Sequence, residues 1–119
     1  MAEININDYV RDRDGFIVKV NEIQEYKEED DIWYQEKTLK GTWKSMIVKH
    51  SKNIIDLIEV GDYVNGYKLV KVTEHTFTTM EQNGYKVHHK ECVSIKTILT
   101  KEQYKANCYK VKEKICYQS

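Results

Sequence analysis

The chain of 119 residues is 40% hydrophobic and 32% charged, a globular rather than a disordered composition. Its formal net charge is zero, which weighs against a surface built throughout to hold a polyanion. It has no proline, hence no Pro-rich linker, and no apolar run approaches the roughly 18 residues of a membrane span.

In chain order, Tyr9-Val10 and Phe16-Ile17-Val18-Lys19-Val20 predict strands around a turn at Arg13-Asp14-Gly15, where glycine accepts positive φ cheaply. Residues 24–31 are too acidic for a packed strand and read as an exposed loop. Ile32-Trp33-Tyr34 opens a strand toward Leu39, Lys40-Gly41 makes a turn, and Trp43 to His50 reads as one further strand with mixed faces. Ser51 is the cap of a single helical or 3₁₀ turn over residues 51–57. Tyr63-Val64 and Tyr67 to Thr73 then surround Asn65-Gly66, a strong short hairpin signal. Thr76 to Met80 and Tyr85 to His88 flank a second hairpin turn at Glu81-Gln82-Asn83-Gly84. Cys92 to Leu99 predicts a strand. Thr100-Lys101-Glu102-Gln103 predicts a capping box opening a short helix to about Ala106, with a last strand over Cys108 to Val111.

The chain reads as though written twice. Asp8-Tyr9-Val10, a loop and Gly15-Phe16-Ile17-Val18-Lys19-Val20 return half a chain later as Asp62-Tyr63-Val64, a shorter loop and Gly66-Tyr67-Lys68-Leu69-Val70-Lys71-Val72. Ser45 to Asn53 lies opposite Ser94 to Glu102 in the same way, a strand running into a capped turn. A duplication makes each copy a similar folding unit. The common order, four strands, a helical turn and a closing strand, is that of SH3-like barrels. The expected fold is mainly β, a tandem pseudo-repeat of two small SH3-like barrel units over residues 1–60 and 61–119. They are expected to pack as one body, because units that small bury too little surface alone. One larger, irregular sheet assembled from both copies is the alternative.

The phrases Asp8-Tyr9-Val10, Gly15 to Val20 and Val60-Gly61-Asp62-Tyr63-Val64-Asn65-Gly66-Tyr67 resemble a group of short, mostly uncharacterised proteins of Firmicute phages and prophages. Lys49 to Tyr67 and Ile98 to Tyr104 carry most of that resemblance. It implies an origin in a mobile element and brings no catalytic residues with it. The Gly-Asp-Tyr-Val phrase is also similar, more weakly, to the KOW-type opening of SH3-like domains in ribosomal and transcription factors.

Charge is unevenly spread. Residues 22–31 hold six acids and one lysine, whereas residues 37–52 hold five lysines and no acid. Two candidate surfaces follow. The acidic segment, with Glu25, Glu28, Glu29, Asp30 and Asp31, suits a basic channel on a partner protein. Trp33, Tyr34, Lys37, Lys40, Trp43 and Lys44 interleave charge with aromatic faces and suit nucleic acid or a nucleotide.

Sequence signals for catalysis and metal binding are weak. His88, His89 and Cys92 fall close together with His75 across a hairpin, but neighbouring strand residues point to opposite faces, so no metal site is expected. Cys92, Cys108 and Cys116 are odd in number without C-x-x-C spacing and read as reduced thiols. No catalytic residue, metal or cofactor is expected. Met1-Ala2-Glu3-Ile4 is no signal peptide, so the expected location is the cytoplasm of a bacterial host. The expected function is a non-enzymatic counter-defence inhibitor that blocks a host immune protein, for example a nuclease or CRISPR effector. The alternatives are an SH3- or KOW-like nucleic-acid-binding module, or a sponge for a nucleotide immune signal, for which a homo-oligomer would help build the pocket.

Overall fold

The computed structural model describes residues 3–38 and 40–107. The protein is mainly β. Its antiparallel strands form three sheets, in the orders β2-β1-β6, β3-β4-β5 and β10-β9-β8-β7-β11. The first holds β1 (Tyr9–Asp12), β2 (Ile17–Lys19) and β6 (Ile47–Ser51). The second holds β3 (Glu22–Tyr26), β4 (Asp31–Gln35) and β5 (Gly41–Trp43). The third holds β7 (Tyr63–Val64), β8 (Tyr67–Val72), β9 (Thr76–Glu81), β10 (Gly84–His89) and β11 (Ile98–Leu99). Among the described residues one α-helix, α1 (Lys101–Asn107), follows the last strand. Among the described residues no sheet closes into a barrel, and no helix is long and apolar enough to cross a membrane.

Alternation places the apolar residues in two separate cores. Val10, Val18, Val20, Ile4 and Tyr34 fill the first, with Ile32 and Ile47 packed against it. Ile58, Val64, Leu69 and Phe77 fill the second. His88 stacks on Phe77 at 4.9 Å between ring centroids, and its Nε2 lies 2.9 Å from Thr79 Oγ1, so this histidine serves the sheet. Among the described residues no group of three His, Cys, Asp or Glu side chains is placed to hold a metal ion.

The two cores are joined by a buried polar clamp. Arg11 of β1 is fully buried, and its guanidinium forks onto both carboxylate oxygens of Asp62, donates to the Leu57 carbonyl at 2.9 Å and reaches Glu102 Oε1 at 2.7 Å. The bidentate geometry and further acceptors are what a guanidinium removed from water requires. Burial opposes the charge of Arg11, but hydrogen bonds from its guanidinium to Asp62 and Glu102 outweigh it and raise the pKa. Beside it, Glu59 takes Lys101 Nζ at 2.9 Å and Lys49 Nζ at 3.1 Å. Burial would push Glu59 up, yet these two lysines and the Arg11 charge hold its pKa down at about 2.

The helix α1 completes the clamp from the other side. Thr100 Oγ1 donates to the Gly15 carbonyl at 2.7 Å and accepts from the Gln103 amide at 3.3 Å. Half of the predicted capping box is therefore formed. The Gln103 side chain departs from it and donates to the Asp14 carbonyl at 2.6 Å, because the β1–β2 turn offers a free acceptor there. Gly15, at φ +84°, lets the turn come close: a Cβ there would meet Glu102 Cβ at 2.8 Å.

Several predicted elements change. Residues 24–26 are strand, the end of β3, and Asp31 begins β4; only 27–30 turn, closed by Asp30 N–H to the Lys27 carbonyl at 3.3 Å. The acids are compatible with a strand because β3 is an exposed edge, where glutamate needs no burial. The predicted strand over Trp43 to His50 is broken by a 3₁₀ turn at Lys44–Met46, which sends β5 and β6 into different sheets. Cys92 to Leu99 is reduced to β11. The 51–57 turn shortens to a 3₁₀ helix at Ile54–Leu57 whose N-cap is Asn53, not Ser51, with no side-chain cap bond; Ser51 Oγ instead accepts from Asn53 N–H at 3.1 Å and donates to Asp56 at 2.6 Å. Asn65-Gly66 is the predicted tight turn, both residues at positive φ. Cys116 and the predicted strand over Cys108 to Val111 lie outside the described residues.

Candidate binding surface

The small β3-β4-β5 sheet gathers most of the residues singled out from the sequence. Its strands alternate. Tyr34 and Thr42, directly opposite each other, are buried toward the first core. Tyr34 is therefore corrected from a binding residue to a core residue, and its burial raises its pKa. The next positions point outward, where Trp33 of β4 sits opposite Trp43 of β5.

On this outward face three rings make a continuous patch. Trp33 and Trp43 meet edge to face at 5.1 Å between centroids, and Trp43 meets Tyr26 of β3 the same way at 5.2 Å. Such pairs add about 0.5–1.5 kcal/mol each beyond the area they bury. Glutamines hold the polar tips: Trp33 Nε1 donates to Gln35 Oε1 at 3.1 Å, and Tyr26 Oη to Gln24 Oε1 at 2.6 Å. Gly41, on β5, leaves the space across which the Trp33 ring lies. Trp33 and Trp43 are half-buried and Tyr26 is 38% exposed, so the rings present their faces partly to solvent.

Acidic side chains gather at one end of the sheet. There, Glu28, Glu29 and Asp30 occupy the exposed tip of the β3–β4 hairpin, with Glu25 exposed beside it. Asp31 is more committed: it accepts from Ser45 Oγ at 2.6 Å and Ser45 N–H at 3.2 Å, and the Ser45 hydroxyl bond lowers its pKa. A cleft of about 250 Å³ lies here, lined by Glu25, Tyr26, Asp30, Asp31 and Lys44 among others. At the opposite end, Lys37 and Lys40 are exposed on the turn joining β4 to β5, which the Glu36 N–H to Lys40 carbonyl bond closes at 2.7 Å.

The sequence-predicted basic set is thus divided. Lys37 and Lys40 stand together, but Lys44 lies at the acidic end beside Asp31, so the three make no single track for a phosphate backbone. The acidic set stays together around the hairpin tip. Tyr26, Gln24 and Gln35 belong to the surface and went unnoticed in the sequence. Strand alternation through Gln24, Tyr26 and Trp33 would have shown them had β3 been recognised. No protein-family model, curated protein or solved structure matches this chain significantly.

The arrangement is suited to recognition through contact. Flat rings offer area at low entropic cost, the glutamines offer donors and acceptors, and the acidic tip adds long-range attraction for a basic partner.

Proposed function

We propose that this chain is a small, non-enzymatic binding protein that acts in the cytoplasm of a bacterial host as a counter-defence inhibitor, docking on an immune protein and blocking it. The observation that carries the reading is the outward aromatic patch of Tyr26, Trp33 and Trp43 set directly behind an acidic hairpin tip. Aromatic anchors with a charged rim are the composition of protein interfaces. A tip with this charge fits the basic channel in which a nuclease or CRISPR-type effector holds its nucleic acid. The phage-like wording of the Lys49 to Tyr67 stretch supplies the context. The split of Lys37 and Lys40 from Lys44 favours a protein partner over nucleic acid or a nucleotide.

The same proposal includes kindred halves, each derived from an SH3-like unit over residues 1–60 and 61–119. Support comes from the strand order β2-β1-β6, which corresponds to β8-β7-β11.

Expression of the chain in bacteria carrying defined defence systems tests the function. Phage plating should rise on at least one of them, and the triple change Glu28→Lys, Glu29→Lys, Asp30→Lys should return it to the defended level while leaving the melting temperature unchanged. Protection that persists in the triple variant, or no rise across nuclease-based systems, would remove the proposal.

A further inference from the structure

A second surface lies where the two halves meet, away from the aromatic patch. Two adjoining depressions, of about 300 and 190 Å³, share Tyr9, Ile54 and Ile95 in their walls. Their floor is aliphatic: Ile17 comes from β2, while Ile98 belongs to β11 and packs on the outer flank of the second core. Their rim is basic. Lys52 and Lys90 border one depression, Lys19 and Lys96 the other, against the single acid Glu36. Among the described residues none of these four lysines has an ion-pair partner, unlike Lys49 and Lys101 at the clamp. Lysines arranged singly around isoleucine suit carboxylates carried beside apolar side chains, and the floor offers little aromatic surface for stacking bases.

A segment of that chemistry exists on the same molecule. The β3–β4 hairpin carries Glu25, Glu28, Glu29 and Asp30 together with the exposed Ile23 and Tyr26, and none of those four acids has an ion-pair partner among the described residues. It cannot serve its own groove. Glu36, which lines the groove, follows the far end of β4, so the hairpin tip lies about 17 Å away along the strand and points the other way.

We propose that the groove docks the acidic β3–β4 hairpin of a second copy of this chain, giving a head-to-tail assembly. The interface joins two different patches, so an open assembly ends in one free hairpin and one free groove unless the ring closes. This goes beyond the inhibitor reading, because the groove residues take no part in the aromatic patch. In an assembly the occupied hairpins are withdrawn from any other partner.

Sedimentation velocity of the full chain tests this at low and high salt. Concentration-dependent association is expected at low ionic strength and a monomer at about 1 M salt, where screening is nearly complete. The groove variant Lys52→Glu, Lys96→Glu should be monomeric, and so should the hairpin variant Glu28→Lys, Glu29→Lys. Mixed in equal amounts the two variants present opposite charges at both surfaces, yet only unlike charges associate: the reversed hairpin meets the reversed groove, and the wild-type hairpin of the first meets the wild-type groove of the second. Restored association of the mixture would establish the pairing and show that both variants are folded. A wild-type monomer at every concentration, association surviving in either variant, or a mixture that stays monomeric would overturn it. The groove variant keeps its hairpin, so it should retain protection in the phage assay, which separates failure here from failure of the inhibitor reading.

Discussion

Asp8 and Asp62 make the same turn in different surroundings. In the first half, Asp8 Oδ2 accepts from Asn5 N–H at 2.8 Å, its carbonyl accepts from Val20 N–H, and Asn7 N–H returns to the Val20 carbonyl. In the second half, Asp62 Oδ2 accepts from Glu59 N–H at 2.8 Å, and Leu69 and Gly61 make the corresponding backbone exchange. Asn7 and Gly61 both sit at positive φ. The local wording therefore specifies a local turn twice. Only Asp62 has a second task, because Arg11 and the Lys101 amide also bind it. The two halves differ less in their turns than in which turn holds the molecule together.

The largest test of this difference removes each carboxylate in turn. Asp62→Ala strands a buried guanidinium and should cost about 3–5 kcal/mol. Asp8→Ala loses mainly one charged turn bond and should cost about 1–2 kcal/mol. Urea denaturation of the two variants measures both, and equal losses would deny Arg11 its role as the clamp.

The next test uses the residue three places before each aspartate, Asn5 in one turn and Glu59 in the other. The folded pKa of Glu59 is depressed to about 2 from an ordinary 4.5. Its contribution is therefore present in full above pH 4.5 and is lost as pH falls through 2. The contribution is up to about 3 kcal/mol, at roughly 1.4 kcal/mol per pKa unit. Stability curves between pH 6 and pH 2 should fall less steeply for Glu59→Asn, which copies the first turn. An unchanged acid slope would remove Glu59 from the account.

The smallest effect separates two glycines, both at positive φ. Gly66 has open space around its missing side chain, so Gly66→Ala should cost only the conformational strain, about 1–2 kcal/mol. Gly15→Ala adds a clash with Thr100 and Glu102, so it should cost more and weaken protection of the α1 amides from hydrogen exchange. Similar losses in both would mean that α1 is not seated on the first hairpin.

Features set by a few neighbouring residues were legible in the sequence. The Asn65-Gly66 turn, the short 3₁₀ helix after Ser51 and the hairpin joining β9 to β10 all follow from local chemistry. Register was not. The repeated wording aligns Gly15-Phe16 with Gly66-Tyr67, yet Val10 faces Val18 whereas Val64 faces Tyr67, which shifts the correspondence by two residues. The longer β1 and its wider turn cause the shift, since loop length sets the pairing of a hairpin. The acidic β3 was missed because an exposed edge imposes no apolar alternation, and with it went Tyr26. Tyr34 reads as a binding residue in the sequence because the residues that bury it, Ile4, Val10, Val18 and Val20, lie well before it in the chain. The clamp left no local signature at all: Arg11 and Glu102 are 91 positions apart.

That separation bears on how the molecule is made. On the ribosome the first half emerges with only the Leu57 carbonyl and Glu59 for its guanidinium, and the Glu102 acceptor is translated only with α1. A nascent chain can shape the Asp8 turn early, but Arg11 has to wait for the Asp62 and Glu102 carboxylates until the second half arrives. Synthesis that stops short of Thr100 would leave the first half without its closing strap, so the order of assembly is written into the position of one arginine.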